Sequence, residues 1–278
     1  MKALLAIAAG LAAGAAAAEP SVERGSYLVT GPAGCGNCHS PLGPDGFTPG
    51  KELSGRLVLE VPEFTAYSAN ITPAGRVADW TDEEFARAIR EGLRPDGSLI
   101  GPPMPFAMYR GLSDDDVMSI VAYLRTIPAV ENEVPESIYN IPLPPDHGPK
   151  IDHVADIPAG VTVEYGAYLA GPVAHCMECH TPMGPEGPML DTALGQGGFA
   201  IPGPWGVSVS SNLTTHVDGL AGYSDDELAT MITKGMRPDG SQMMPPMPYP
   251  FLAKMTEDDL AAIILYLRTL PPLPDYEG

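Results

Sequence analysis

Two copies of Cys-x-x-Cys-His, Cys35-Gly36-Asn37-Cys38-His39 and Cys176-Met177-Glu178-Cys179-His180, stand 141 residues apart and use all four cysteines of the chain. This pentapeptide is the signature of c-type haem attachment. Thiols three positions apart each add to a haem vinyl group, and the histidine that follows reaches the iron from the same side. A chain tied to a flat apolar cofactor at two places must build its core around it. Other readings of paired Cys-x-x-Cys are a four-thiolate zinc cage, two disulfides, or a thioredoxin-like redox pair. The histidine following both copies argues against all three.

The chain repeats itself around these motifs. Arg24-Gly25-Ser26-Tyr27-Leu28 recurs as Tyr165-Gly166-Ala167-Tyr168-Leu169, and Ser68-Ala69-Asn70-Ile71-Thr72 as Ser210-Ser211-Asn212-Leu213-Thr214. Trp80-Thr81-Asp82-Glu83-Glu84 matches Tyr223-Ser224-Asp225-Asp226-Glu227, and Arg94-Pro95-Asp96-Gly97-Ser98 matches Arg237-Pro238-Asp239-Gly240-Ser241. Pro102-Pro103-Met104-Pro105 returns as Pro245-Pro246-Met247-Pro248, and Ala122-Tyr123-Leu124-Arg125-Thr126 as Leu265-Tyr266-Leu267-Arg268-Thr269. The offset drifts only from 141 to 143. Six blocks in one order define two halves, expected over residues 19–130 and 161–278. The proline-rich stretch 131–160 reads as an extended strap between them, not a third domain.

Each half shows the same helices. Short ones are expected over Val22–Val29 and Val163–Leu169, just before the motifs. Thr81 with Glu84, and Ser224 with Glu227, are capping-box pairs opening helices that stop at Gly92 and near Gly235. Phe85, Ala88 and Ile89 share one face at the 3.6-residue period. A last helix runs from Ser113 to Thr126, with Asp114, Asp115 and Asp116 at its positive end, and its equivalent spans Glu257 to Thr269. No segment reads as a convincing strand. The expected class is therefore all-α, with long loops rich in glycine (31) and proline (32) wrapped on the cofactor.

A haem that only carries electrons needs a sixth ligand, and a methionine thioether raises its potential. Repeat alignment selects Met104 and Met247, which share the Pro-Pro-Met-Pro frame 65 residues after His39 and 67 after His180. His39 and His180 are the expected proximal ligands. Asn70, Trp80 and Asn212 are candidate donors to haem propionates, and Arg94 and Arg237 candidate ion partners, since guanidinium matches carboxylate geometry. The plainer role for the asparagines is turn chemistry, and for the arginines a surface or capping role. His147 and His153 in the strap are expected to be exposed, His175 to line a haem edge, and His216 to be a solvated loop residue.

At the N-terminus, Lys2, the apolar run Ala3 to Ala18 and the Ala16-Ala17-Ala18 triplet fit an export signal cleaved after residue 18. The run has 16 residues, short of the about 20 needed to span a bilayer. The mature chain is expected to be soluble and periplasmic, without a membrane span. The net charge of -20, from 35 acidic and 15 basic residues, excludes nucleic acid as a partner and suits docking to a basic protein surface.

The string Asn70-Ile71-Thr72-Pro73, Trp80 to Phe85, Arg94-Pro95-Asp96-Gly97, Met104-Pro105-Phe106 and Leu112 to Asp116 resembles class I cytochromes c. More narrowly, it is similar to the multihaem cytochrome subunits of bacterial periplasmic alcohol, gluconate and aldehyde dehydrogenases. That resemblance implies two tandem class I cytochrome c domains with two covalent haems. It implies His39 and His180 as proximal ligands and Met104 and Met247 as distal ones. The first and last helices of each half would cross, Gly25 and Gly166 lying close to Tyr123 and Tyr266. The implied partners are a periplasmic dehydrogenase as donor and a downstream cytochrome or oxidase as acceptor. The chain departs from that pattern in having two haem motifs where many such subunits have three, in showing no C-terminal membrane helix, and in lacking a proline after Thr214. A soluble dihaem carrier fits these differences. The competing reading is a haem enzyme, such as a dihaem peroxidase, with one open iron. A methionine for each haem and no spare cysteine weigh against it.

Overall fold

The computed structural model of the protein describes residues 19–277 apart from Glu186 and Pro204. The export signal assigned to residues 1–18 lies outside the described residues. The first half contributes α1 (Val22–Thr30), α2 (Cys35–His39), α3 (Asp82–Glu91), α4 (Phe106–Tyr109) and α5 (Asp114–Thr126). The second contributes α6 (Val163–Tyr168), α7 (Cys176–Cys179), α8 (Asp225–Lys234), α9 (Tyr249–Leu252) and α10 (Glu257–Leu267) in the same order.

Local chemistry sets the ends of these helices. Thr81 accepts from the Glu84 backbone at 3.2 Å while Glu84 accepts from the Thr81 N–H at 2.8 Å. Ser224 and Glu227 close the same reciprocal box. Gly92 and Gly235 end α3 and α8 in the left-handed region, where a side chain would be strained. Ser113 and Thr256 cap α5 and α10, whose first turns each carry three acids against the positive helix terminus.

The packing frame of each half is a crossing of its first and last helices. A Cβ on Gly25 would lie 1.8 Å from the Ser119 carbonyl oxygen and 2.8 Å from Tyr123 Cβ. One on Gly166 would lie 1.9 Å from the Ala262 carbonyl oxygen and 2.9 Å from Tyr266 Cβ. Only glycine permits these contacts, as the resemblance implied. Around them Leu28, Val117, Val121 and Leu124 form the core of one half, and Leu169, Ala262, Ile263 and Leu267 that of the other.

The expectation of an all-α class is corrected here. The chain is about 33% helical and 13% strand, with several small sheets. Arg56–Val61 pairs antiparallel with Phe64–Ser68, and Ile138–Tyr139 from the strap adds a third strand. In the second half Ala200–Gly203 pairs with Gly206–Val209. Two-residue hairpins follow each haem motif, at Leu42–Gly43 with Gly46–Phe47 and at Met183–Gly184 with Gly187–Pro188. The reason is backbone satisfaction: the long segments between motif and capping box must pair their N–H and C=O groups, and antiparallel pairing does so without a core helix.

The strap lies along the first half. Asn132 donates to the Ser54 carbonyl at 2.8 Å, and Tyr139 Oη to the Pro102 carbonyl at 2.9 Å. His147 is only partly exposed, contrary to expectation. It hydrogen-bonds the Ile100 carbonyl at 2.8 Å and stacks on Phe106 with ring centroids 4.5 Å apart. His153 is exposed, as expected, and pairs with Asp114 at 2.6 Å.

The halves meet through a reciprocal exchange. Tyr27 of α1 donates to Asp259 of α10, and Tyr168 of α6 donates to Asp116 of α5. The phenol of Tyr27 also accepts from the Thr256 N–H, and that of Tyr168 from the Ser113 N–H. Residue i meets j and j's counterpart meets i's, which is the signature of a two-fold relation.

Candidate haem sites

In the first half α2 is one helical turn preceded by Gly34 in the left-handed region. That turn places Cys35 and Cys38 on the wall of a cavity and presents His39 beside them. His39 Nδ1 is 2.8 Å from the Ala69 carbonyl oxygen. A carbonyl can only accept, so Nδ1 carries the proton and Nε2 is left with its lone pair for a metal. Removal from water holds His39 below its ordinary pKa, and so neutral. The second half repeats the arrangement: His180 is buried, its Nδ1 is 2.8 Å from the Ser211 carbonyl oxygen, and burial again lowers its pKa.

The thiols are half-buried and correspondingly weak acids. Burial pushes Cys35 and Cys179 up to about 12 and Cys176 up to about 11. All four are unpaired as thiols, which removes the disulfide alternative. Among the described residues no group of three or more His, Cys, Asp or Glu side chains could hold a metal ion.

The first cavity encloses about 1570 Å³ with its open mouth. Met104, Ile71, Val77, Phe85 and Leu124 supply apolar wall, while Trp80, Arg76 and Arg94 stand on its polar side. Thiols and imidazole on a largely apolar wall, a thioether in the same cavity and two guanidiniums beside it fit a haem: apolar faces for the ring, cations for its carboxylates. Met104 and Met247 sit in identical turns, their carbonyls accepting from Phe106 and Tyr249 at 2.9 Å. Arg94 is braced by Leu99 O at 2.7 Å and Ser98 Oγ at 3.1 Å. Arg237 is held more loosely, by Gln242 O at 3.3 Å and Ser241 Oγ at 3.5 Å.

The asparagines have other commitments. Asn70 donates to Val130 O at 2.8 Å and accepts from the Thr72 N–H at 3.0 Å. Asn212 donates to Leu273 O and accepts from the Thr214 N–H, both at 2.8 Å. Each amide ties its loop to the segment after the last helix. His216 lies 3.1 Å from Asp218 and is part-exposed.

Sequence reasoning missed several residues around the first cavity. Arg76 pairs with Glu136 of the strap at 2.6 Å, and Tyr139 lines the wall. Glu178 and Pro248 reach the same cavity from the second half, together with His175, which was expected to line a haem edge. Burial pushes Glu178 up to about 7 and His175 down to about 4. The position aligned with Arg76 is Gly219, so aligning the halves hid the arginine.

The Cytochrome c family model matches residues 163–271. The chain is 30% identical to the cytochrome c subunit of the quinone alcohol dehydrogenase of Gluconobacter oxydans, over 98% of this chain and 59% of that protein. It is 30% identical to the fructose dehydrogenase cytochrome subunit of Gluconobacter japonicus, over 92% of this chain and 54% of that one. A diheme cytochrome c-type protein of Cereibacter sphaeroides is 26% identical, over 86% of this chain and 83% of its own length. The chain thus spans somewhat over half the length of the dehydrogenase subunits it matches.

Proposed function

We propose that this chain, which resembles the Cytochrome c family over residues 163–271 and the cytochrome c subunit of a quinone alcohol dehydrogenase over nearly all its length, is a dihaem electron-transfer protein serving a periplasmic dehydrogenase. The observation that carries this reading is the duplicated histidine geometry. His39 and His180 each follow a Cys-x-x-Cys turn, and each is locked by a 2.8 Å bond from Nδ1 to a backbone carbonyl. Haem c, when bound, would supply a one-electron couple.

The residues divide the work. Cys35, Cys38, Cys176 and Cys179 anchor the groups. His39 and His180 are the proximal ligands, with orientation fixed by Ala69 and Ser211. Met104 and Met247 are the distal ligands on proline-stiffened turns. Trp80, Arg94 and Arg237 face the carboxylates. Residues 19–130 and 161–278 form the two domains, 131–160 the strap, and 1–18 an export signal. Among the described residues no helix is long and apolar enough to cross a membrane. Relatives named as subunits of alcohol, fructose and gluconate dehydrogenases support a dehydrogenase as donor; the proposed acceptor is a downstream cytochrome or oxidase. The acidic surface favours fast, salt-sensitive docking to a basic partner.

The test is a haem count and optical redox titration of the purified holoprotein. Two haems per chain are expected, both low-spin, both showing the weak band of methionine on ferric haem, and neither binding carbon monoxide. A high-spin or carbon monoxide-binding haem would replace the carrier by a haem enzyme with one open site.

A further inference from the structure

The two haem sites share a backbone but not a charge distribution. Hydrogen bonds fix which residues correspond. Arg125 Nη1 donates to Val77 O at 2.7 Å, and Arg268 Nη1 to Leu220 O at 2.8 Å. Val77 and Leu220 are therefore equivalent, and the residues before them are Arg76 and Gly219. The Arg56 N–H donates to Ser68 Oγ at 3.0 Å, and the Phe199 N–H to Ser210 Oγ at 3.0 Å. Arg56 thus stands where the second half has Phe199. Of Arg56, Arg76 and Arg94, only Arg94 keeps its charge in the second half, as Arg237.

Arg56 reaches the attachment motif itself. Its Nη2 donates to the carbonyl of Asn37, between the two cysteines, at 2.8 Å, and its Nη1 to Leu57 O at 2.9 Å. Its Nε is buried without a hydrogen-bond partner. Among the described residues Arg56 makes no ion pair, so no carboxylate in contact offsets its charge. Arg76 lines the first cavity and is partly offset by Glu136. Glu178 lies in the second motif as well as on the first cavity wall, so its field falls on both sites.

We propose that Arg56, supported by Arg76, sets the haem of the first half at a higher potential than that of the second, so that electrons pass from the second half to the first. A fixed positive charge beside a haem favours the reduced iron, which carries one positive charge fewer. Phe199 and Gly219 provide no such charge. The two ends then have different roles: the donor docks against the second half, and the acceptor draws from the first. This inference rests on the reading of the chain as a dihaem carrier.

The experiment is a potentiometric titration of the holoprotein and of the Arg56→Gln and Arg76→Gln variants, with haem counted by its pyridine complex. Wild type should titrate in two resolved steps. Arg56→Gln should move only the upper step downward. The equilibrium constant for the electron between the sites should fall about tenfold, equal to about 59 mV for one electron. Arg76→Gln should move the same step less, and Phe199→Arg should raise the lower step. A shift of the lower step in Arg56→Gln, or no shift in either arginine variant, would overturn the assignment. One haem per chain would remove the dihaem reading and the inference with it, a result separate from two haems in the wrong order. If Arg56→Gln does not fold, Arg76→Gln and Phe199→Arg decide the order alone.

Discussion

Tyr27 of the first half donates its phenol to the Asp259 carboxylate of the second at 2.5 Å. Its counterpart Tyr168 donates to Asp116 at 2.6 Å. Both acids are buried, 8% and 7% exposed, so each depends on its partners for the loss of water. Their supply differs. Asp116 also receives a two-point ion pair from Arg24, at 2.7 and 2.8 Å. The repeat puts Tyr165 at the Arg24 position, and Asp259 has no ion pair among the described residues.

Removing the two phenols should therefore cost unequal amounts. Tyr27→Phe takes away the side-chain donor to Asp259 and should cost about 1.5–3 kcal/mol, the range for hydrogen bonds to charged groups. Tyr168→Phe leaves Arg24 in place and should cost about 1 kcal/mol. Denaturant unfolding of the holoprotein measures both. Equal losses would mean that Arg24 does not satisfy Asp116.

The helix crossing makes a sharper demand. With a Cβ 1.8 Å from the Ser119 carbonyl oxygen, Gly25→Ala must separate α1 from α5. Overpacking of this kind costs about 1–3 kcal/mol or more. Because α1 leads directly into the Cys35–His39 turn, the yield of covalently loaded protein should fall too. Gly222→Ala, with nothing within 4 Å of its added Cβ, is the control and should leave both unchanged.

How much of this was legible follows from the range of each interaction. The capping boxes at Thr81 and Ser224, and the glycines ending α3 and α8, were readable because cap and partner lie within a few residues. The haem motifs and Pro-Pro-Met-Pro turns were readable because they recur. The Arg56–Ser68 hairpin was missed, although Leu57, Val58, Leu59 and Val61 facing Phe64, Thr65 and Tyr67 across a two-residue turn is a strand signal. In the second half Pro202 and Gly203 hide it. The strand at Ile138–Tyr139 exists only because Phe64–Ser68 offers an edge. Tyr27 and Asp259 lie 232 positions apart, and no local pattern announces their contact. Arg56 and Arg76 were passed over because comparison of halves rewards what recurs, whereas their role lies in what differs.

The proposed distal ligands can be tested one at a time. Met104→Ala should remove the methionine band from one haem, lower its potential and open it to carbon monoxide, leaving the other haem as it was. Met247→Ala should do the same at the second site. Absorption spectra of the ferric protein give the answer, and a band of full intensity after Met104→Ala would discard that residue as a ligand.

Acid should loosen the strap. The Arg76 hydrogen bond holds the Glu136 carboxyl below its ordinary value of 4.5. A carboxyl depressed in the folded state takes up its proton at higher pH once released. The pair therefore contributes its full stability above about pH 4.5 and loses it as the pH falls through the lower folded value. Glu136 is 74% exposed and Arg76 34%, so solvent screening limits the contribution to about 0.2–1 kcal/mol. The protection from amide exchange at Ile138 and Tyr139, beside Glu136 in the chain, corrected for the intrinsic slowing of exchange in acid, should fall on acidification in wild type. Glu136→Gln should show faster exchange already at neutral pH and a flatter response. An identical pH profile in the two proteins would mean that the strap is held by Tyr139, His147 and its strand pairing without help from the ion pair.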